Sequence, residues 1–258
     1  MGVRLGGLLF DFDDTLVDWS SVRLPWREIE SARLSRVADY LCHSERVRLI
    51  KTDALVEVFL QNTREAWAKA RISLRAPHMP SILMSSLDEL GVPARLLDAD
   101  ELIRVYRMDV APGVVVFPDV PPALRVLRAA GIKLGIVTNA AQPMFMRDAE
   151  LATHGLLEYF PDCRLSAADV GYIKPHARIF NAALERMGTA PAETVFVGDN
   201  PEADIAGAQA VGMRAILRIT DRAFDNGDLA QPQERLDTLD ELPAILDGWY
   251  PGWRDGGA

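Results

Sequence analysis

Asp11, Asp13 and Asp14 follow directly on the apolar run Leu5 to Phe10. Carboxylates clustered at the end of a buried run repel one another. Desolvating any of them costs free energy unless a cation or a proton compensates. A divalent metal among the oxygens is the readiest compensation, so the end of this run is a candidate reaction centre. Three more polar sets stand farther along: Thr138-Asn139, Lys174-Pro175, and Gly198-Asp199 with Asp204 five residues later. An aspartate can attack phosphorus to give an aspartyl phosphate, and a second carboxylate can protonate a leaving oxygen and then activate water. Mg²⁺ takes one or two carboxylates together with phosphate oxygens. A hydroxyl and an ammonium can hold the remaining phosphoryl oxygens as charge builds. One basic group, one hydroxyl and several carboxylates converging on a point suit phosphoryl transfer.

The elements that must bring these residues together are of two textures. Residues 19–112 read as helices, with apolar spacing near 3.6 over Trp26 to Leu41, Arg46 to Ala70, Pro80 to Leu90 and Asp98 to Met108. Pro77, Pro80 and Gly91-Val92-Pro93 punctuate them. From residue 113 onward strands and helices alternate. Short apolar runs at Lys133 to Thr138, Cys163 to Ser166, Thr194 to Gly198 and Arg214 to Ile219 predict strands. Helices are expected over Pro121 to Ala130, His176 to Met187 and Glu202 to Val211, each closed by a glycine. The tail beyond Asp221 is polar and then amphipathic from Leu236 to Leu246, which predicts a closing helix.

Alternating strands and helices imply an α/β fold, a Rossmann-like parallel sheet covered on both faces, with Leu5 to Phe10 as its first strand. The helical block is then an insertion after that strand. The expected division is a core of residues 1–18 and 113–258 with an all-helical cap domain at 19–112. In open parallel sheets the ligand sits at the carboxyl ends of the strands, where all four polar sets fall.

A chain of 258 residues, 49% apolar and 25% charged, is long enough to bury a core of this size. The net charge of −9 speaks against a nucleic-acid partner. Residues 19–112 hold 14 Lys/Arg against 13 Asp/Glu, so the remainder carries −10. The arginines between Arg23 and Arg75 are expected mostly on a solvated helical surface. No apolar run is long enough to cross a bilayer. The N-terminus, with Arg4 as its one basic residue, does not read as a signal peptide. Cys42 and Cys163 give neither a disulfide framework nor a metal-ligand pair. A cytoplasmic protein without membrane contact is expected, either monomer or homodimer.

Asp11-Phe-Asp-Asp-Thr-Leu16, Thr138-Asn139, Lys174-Pro175 and Gly198-Asp-Asn-Pro-Glu-Ala-Asp204 resemble, in order, the four motifs of the haloacid dehalogenase superfamily. The resemblance runs over nearly the whole chain, because residues 19–112 fall where that family places its first type of cap. It implies Asp11 as nucleophile and Mg²⁺ ligand. Asp13 would be general acid/base, its backbone carbonyl also on the metal. Thr138 and Lys174 would bind the phosphoryl group, with Lys174 steadying Asp11 and Asn139 helping. Asp199 would ligate the metal, and Asp204 would ligate it or orient a metal-bound water. The family's dehalogenases lack a carboxylate at the position of Asp13, so the resemblance points to its phosphatase branch and to a small phosphorylated metabolite as substrate.

Two alternatives stay open at this level. One is a phosphomutase on the same scaffold, and the other is a non-catalytic binding or regulatory module. Asp14 is expected to serve a turn, and His78, His154 and His176 surface or capping positions. Trp19 and Trp26, where the chain leaves the core, have two readings, closing over a substrate or packing at the hinge between cap and core, and the packing role is the expected one.

Overall fold

The structure, a computed structural model, describes residues 2–43, 50–220 and 231–256. In its first half the elements are β1 (Gly7–Phe10), β2 (Val17–Asp18), α1 (Trp26–His43), α2 (Thr52–Ser73), α3 (Met79–Glu89), α4 (Ala99–Tyr106) and β3 (Val115–Val116). Then follow α5 (Val120–Ala129), β4 (Lys133–Thr138), α6 (Met144–Thr153), β5 (Cys163–Ser166), α7 (Ala167–Val170) and α8 (Ala177–Met187). The last are β6 (Thr194–Gly198), α9 (Gly207–Ala210), β7 (Arg214–Arg218), β8 (Glu234–Leu236) and α10 (Leu242–Trp249).

Six strands form one parallel sheet in the order β5-β4-β1-β6-β7-β8. Side chains alternate across it, as the pleat requires. Leu8 and Phe10 face a layer built by α5, α6 and α10, whereas Leu9 faces α8 and α9. Both layers are apolar, and Leu8, Leu9 and Phe10 are wholly buried. The chain runs from β1 outward through β4 to β5, then crosses back to lay β6 on the other side of β1. This reversal puts the topological switch point at the carboxyl end of β1, where Asp11 stands.

Helices α1 to α4 share a separate apolar cluster that includes Leu34, Leu41, Leu55, Phe59, Leu83 and Tyr106. Ala141 and Met146, from the segment after β4, join that cluster. The two ends of the helical stretch meet in a two-stranded antiparallel ribbon, Val17 against Val116 and Asp18 against Val115. Backbone bonds fasten its other side: Met79 N–H to the Ala141 carbonyl (2.7 Å), Ile173 N–H to Leu74 (3.0 Å) and Ala76 N–H to Gly171 (3.1 Å).

Several expectations change. The ribbon is too short for a periodic signal, and the sequence reading has no strand there. The closing helix expected from Leu236 begins at Leu242, because Glu234–Leu236 pairs with β7 as the sixth strand. Residues 201–206 form a π-helical turn, and α-helical geometry resumes only at Gly207. The helix expected from Arg46 starts at Thr52, and Arg46 itself lies outside the described residues. Arg33, expected among solvated arginines, is buried. Its guanidinium pairs with Glu30 at 2.8 Å, and Tyr106 donates to the same carboxylate at 2.7 Å.

Phe10 meets Phe160 edge-on, with ring centroids 6.2 Å apart, at the centre of the first layer. Phe10→Ala should lower the unfolding free energy by about 3–5 kcal/mol in urea titrations followed by circular dichroism. A loss below about 1 kcal/mol would mean that this layer collapses around the gap.

Candidate active site

The register of the sheet brings the polar sets level. Phe10 lies opposite Ile136 of β4 and Val197 of β6, so the residues that follow each strand emerge together. The Asp11 N–H still donates to the Val197 carbonyl (2.9 Å), and the chain then turns sharply about the Phe12 carbonyl, which accepts from the N–H groups of Leu16 (2.8 Å) and Val17 (3.2 Å). Asp14 takes a left-handed φ of 59° in that turn and donates its N–H to Val17. Aspartate tolerates this conformation better than most residues, which fits the turn role expected of it.

Lys174 is the hub of the site. Its Nζ lies 2.7 Å from Asp11 Oδ1 and 2.7 Å from Asp204 Oδ1, and it donates to the Val137 carbonyl at 2.9 Å. Asn139 fixes the loop that carries it. The Asn139 side-chain oxygen accepts from the Lys174 N–H (2.7 Å), while its amide donates to the Lys174 carbonyl (3.2 Å). Asn139 thereby holds the backbone of Lys174 in place while also lining the cavity. Thr138, at the end of β4, is buried and lines the same small cavity of about 260 Å³.

Asp204 is wholly buried, and its Oδ2 accepts from the Asn200 N–H at 3.0 Å. Gly198 makes room for it, because a Cβ there would stand 2.3 Å from that same oxygen. Asn200 in turn caps the π-helical turn by accepting from the N–H groups of Glu202 and Ala203.

Asp11, Asp199 and Asp204 form one buried group, with an oxygen of each lying within 4.8 Å of the others. Burial, with Asp204 and Asp13 adding and Lys174 opposing, pushes the Asp11 carboxyl up to about 7. Burial and the charges of Asp11 and Asp204 push Asp199 up to about 9. Burial alone would lower the Lys174 ammonium, but its two carboxylate partners outweigh that and raise it. One Asp199 oxygen is buried with no hydrogen-bond partner. Three repelling carboxylates, one with an orphaned oxygen, are a donor set that fits a hard divalent cation.

Asp13 lies outside that group. Arg147 grips it with both guanidinium ends, Nη2 to Oδ1 at 2.8 Å and Nη1 to Oδ2 at 3.2 Å, and the Trp19 indole donates to Oδ1 at 2.9 Å. Burial would raise the Asp13 carboxyl, but Arg147 first and the Trp19 bond next bring it below its ordinary value. Glu150 backs Arg147 at 2.6 Å, and the guanidinium lies over the Phe12 ring, 4.8 Å from its centroid. The helix that carries Arg147 is itself anchored, because Asp169 accepts from the Met144 N–H at its start (3.1 Å).

All seven expected residues thus stand at one end of the sheet, with the Asp13 carboxylate held by Arg147 outside the group of Asp11, Asp199 and Asp204. The sequence reading does not name Arg147 as a site residue, and it gives Trp19 a packing role ahead of one over a substrate. An arginine inside a helix carries no motif of its own, and Trp19 reads as a hinge. His176 caps α8 as expected, accepting from the Arg178 N–H at 3.2 Å, and His78 bonds the Ser81 hydroxyl.

The family model of the haloacid dehalogenase-like hydrolases matches residues 6–212. The chain belongs to that family. Among relatives, it is 30% identical to phosphoserine phosphatase of Thermus thermophilus over 255 residues, covering 91% of this chain and 96% of the relative. It is 34% identical to phosphatase MT3486 of Mycobacterium tuberculosis over 163 residues, covering 63% of this chain and 67% of the relative. Two further relatives are matched over 56% and 57% of their lengths. Among solved structures, a 2-haloacid dehalogenase from Pseudomonas syringae pv. Tomato superposes with a TM-score of 0.64 at 28% identity, covering 95% and 99% of the two chains. No helix among the described residues is long and apolar enough to cross a membrane.

Because Lys174 compensates two buried carboxylates, Lys174→Met should destabilise this hydrolase by about 3–5 kcal/mol. Adding Asp204→Asn to that variant should restore part of the loss, since it removes one of the stranded charges. Additive effects of the two changes in denaturant titrations would rule out the coupling.

Proposed function

We propose that this hydrolase is a phosphatase, cleaving the phosphate monoester of a small metabolite through an aspartyl-phosphate intermediate with Mg²⁺ bound at Asp11, Asp199 and Asp204. The carrying observation is the pairing of Asp11 with Lys174 in a buried cavity that Asp13, two residues on, also lines. The phosphatases among its relatives support the reading, and so does the carboxylate of Asp13, which a dehalogenase has no use for.

In this mechanism an Asp11 oxygen attacks phosphorus and the ester P–O bond breaks. Asp13 gives its proton to the departing alkoxide. Asp13, now ionised, takes a proton from water as the water oxygen attacks the phosphorus of the aspartyl phosphate. Phosphate leaves, and the Asp11 carboxylate and the protonated Asp13 are restored. The bidentate Arg147 contact stabilises the ionised form of Asp13, so it favours proton release in the first step, lowers the share of Asp13 that begins the cycle protonated, and makes Asp13 a weaker base in the second. Lys174 orients Asp11 and, with Thr138, holds phosphoryl oxygens as charge develops. A bound Mg²⁺ would offset the repulsion between the anionic nucleophile and the anionic ester. The backbone carbonyl of Asp13 would complete its protein ligands.

Residues 19–112 act in this reading as a cap over a core of residues 1–18 and 113–258. The cap closes to exclude water while the intermediate forms and opens to admit it afterwards. Its place over the carboxyl ends of β1 and β4 supports the role.

Two outcomes test the mechanism. Asp11→Asn should reduce phosphate release by at least about 10³-fold with an unchanged far-UV spectrum, because it keeps the shape and removes the nucleophile. A chelator should silence the wild type, and added Mg²⁺ should restore it. Turnover that survives either treatment contradicts the assignment.

A further inference from the structure

The charged cavity of about 260 Å³ is only the floor of a larger space. A second cavity, of about 860 Å³, lies between helices α1 to α4 and the segment that follows β4. Asp13, Trp67 and Asn139 line both, so the larger space opens directly onto the acid/base and the phosphoryl site. Whatever is esterified to the phosphate must enter it. The volume is in the range that encloses drug-sized ligands rather than two- or three-carbon acids.

The walls are aromatic. Trp19, Trp26 and Trp67, three of the five tryptophans in the chain, line this one cavity together with Phe59 and Tyr106. Trp19 and Trp26 stand with ring centroids 6.4 Å apart, and Trp26 remains 44% exposed. A half-exposed tryptophan beside a reaction centre offers a face for stacking. Arg64, which donates to the Gln61 amide oxygen at 2.8 Å, and Arg71 stand at the exposed edge of this cavity, whereas its other charged groups are ion-paired. Arg147 is held by Asp13 and Glu150. Glu30 is held by Arg33 and the Tyr106 hydroxyl. Arg27 pairs with Glu57. A compact polar acid could reach only Arg64 or Arg71 without drawing one of these pairs apart, whereas a ring can lie on the tryptophan faces.

We infer that the ester this site hydrolyses carries an aromatic ring, seated among Trp19, Trp26 and Trp67. The inference rests on the phosphatase reading for its chemistry and on the cavity for its specificity. Simple aryl phosphates, nucleoside monophosphates and pyridoxal phosphate share the required ring, and the assay tells these sources apart.

The experiment has a catalytic and a binding arm. Phosphate release is measured from 1-naphthyl phosphate, AMP and pyridoxal 5′-phosphate against phosphoglycolate, phosphoserine and acetyl phosphate. At least one ring ester should exceed the small polar esters by about tenfold or more in kcat/KM. Release that favours phosphoglycolate or phosphoserine overturns the inference and leaves the phosphatase intact. Release from no compound overturns the phosphatase reading, and the binding arm then decides the inference alone. In that arm, calorimetry on Asp11→Asn should find 1-naphthyl phosphate bound more tightly than phosphoglycolate. Trp26→Ala in the same background should weaken the naphthyl ester by about three- to tenfold. Trp26 is exposed enough to be truncated without opening the core. Unchanged affinity in that variant, or tighter binding of phosphoglycolate, refutes the seat proposed for the ring.

Discussion

One ammonium group facing three buried carboxylates is the constraint around which the rest of this structure is arranged. Asp11, Asp199 and Asp204 lose solvation together, and within the protein Lys174 is the cation between Asp11 and Asp204. Buried charge of this kind persists only with close partners and good geometry. The sheet supplies that geometry through its register, which brings β1, β4 and β6 level at their carboxyl ends. Gly198 supplies it by omitting a side chain where Asp204 must enter. Asn139 supplies it by clamping both backbone groups of Lys174. Each of these features would be an unremarked detail in a neutral core. Here each decides whether a charge is compensated.

Asp11 and Asp13 are separated by one residue and live in opposite electrostatic surroundings. Asp11 faces like charges and a single lysine, and its carboxyl is pushed up. Asp13 faces a bidentate guanidinium and an indole N–H, and its carboxyl is held down. Pushing the properties of two neighbouring carboxylates apart is a recurring way to assign them different tasks. The sharp turn about the Phe12 carbonyl makes the separation possible. It points the two side chains at different neighbours, although the residues are almost adjacent.

The sheet and the polar sets were legible in the sequence because each depends on local chemistry. Lys133–Thr138, Cys163–Ser166 and Thr194–Gly198 form strands with the expected bounds, since short apolar runs ended by polar residues have few other buried fates. Asp11, Thr138, Lys174 and Asp204 converge because strand ends in a parallel sheet converge. Features that depend on distant partners stayed hidden. Glu234–Leu236 is a strand only because β7 offers an open edge, and its own residues read as the approach to a helix. Arg33 is buried because Glu30 and Tyr106, the latter far along the chain, meet it inside the helical cluster. Arg147 belongs to the site because Asp169 sets the start of its helix. No spacing within α6 reports that.

The same long-range ties bear on how the helical block can work. On one side it is held by the ribbon of Val17–Asp18 with Val115–Val116, and on the other by three backbone bonds around residues 74–79. Backbone hydrogen bonds that exchange for water on opening contribute about 0.5–1.5 kcal/mol each. Three of them therefore hold the block against the core by roughly 1.5–4.5 kcal/mol. For the cap motion proposed above, that range would favour the closed form and still be overcome in each turnover. A ligand filling the cavity adds apolar contact to both walls and shifts the balance further toward closure. Departure of the leaving group removes that contribution. In the proposed two-step reaction, then, the event that forms the intermediate also weakens the closure that shields it, and water is admitted after it is needed to be absent.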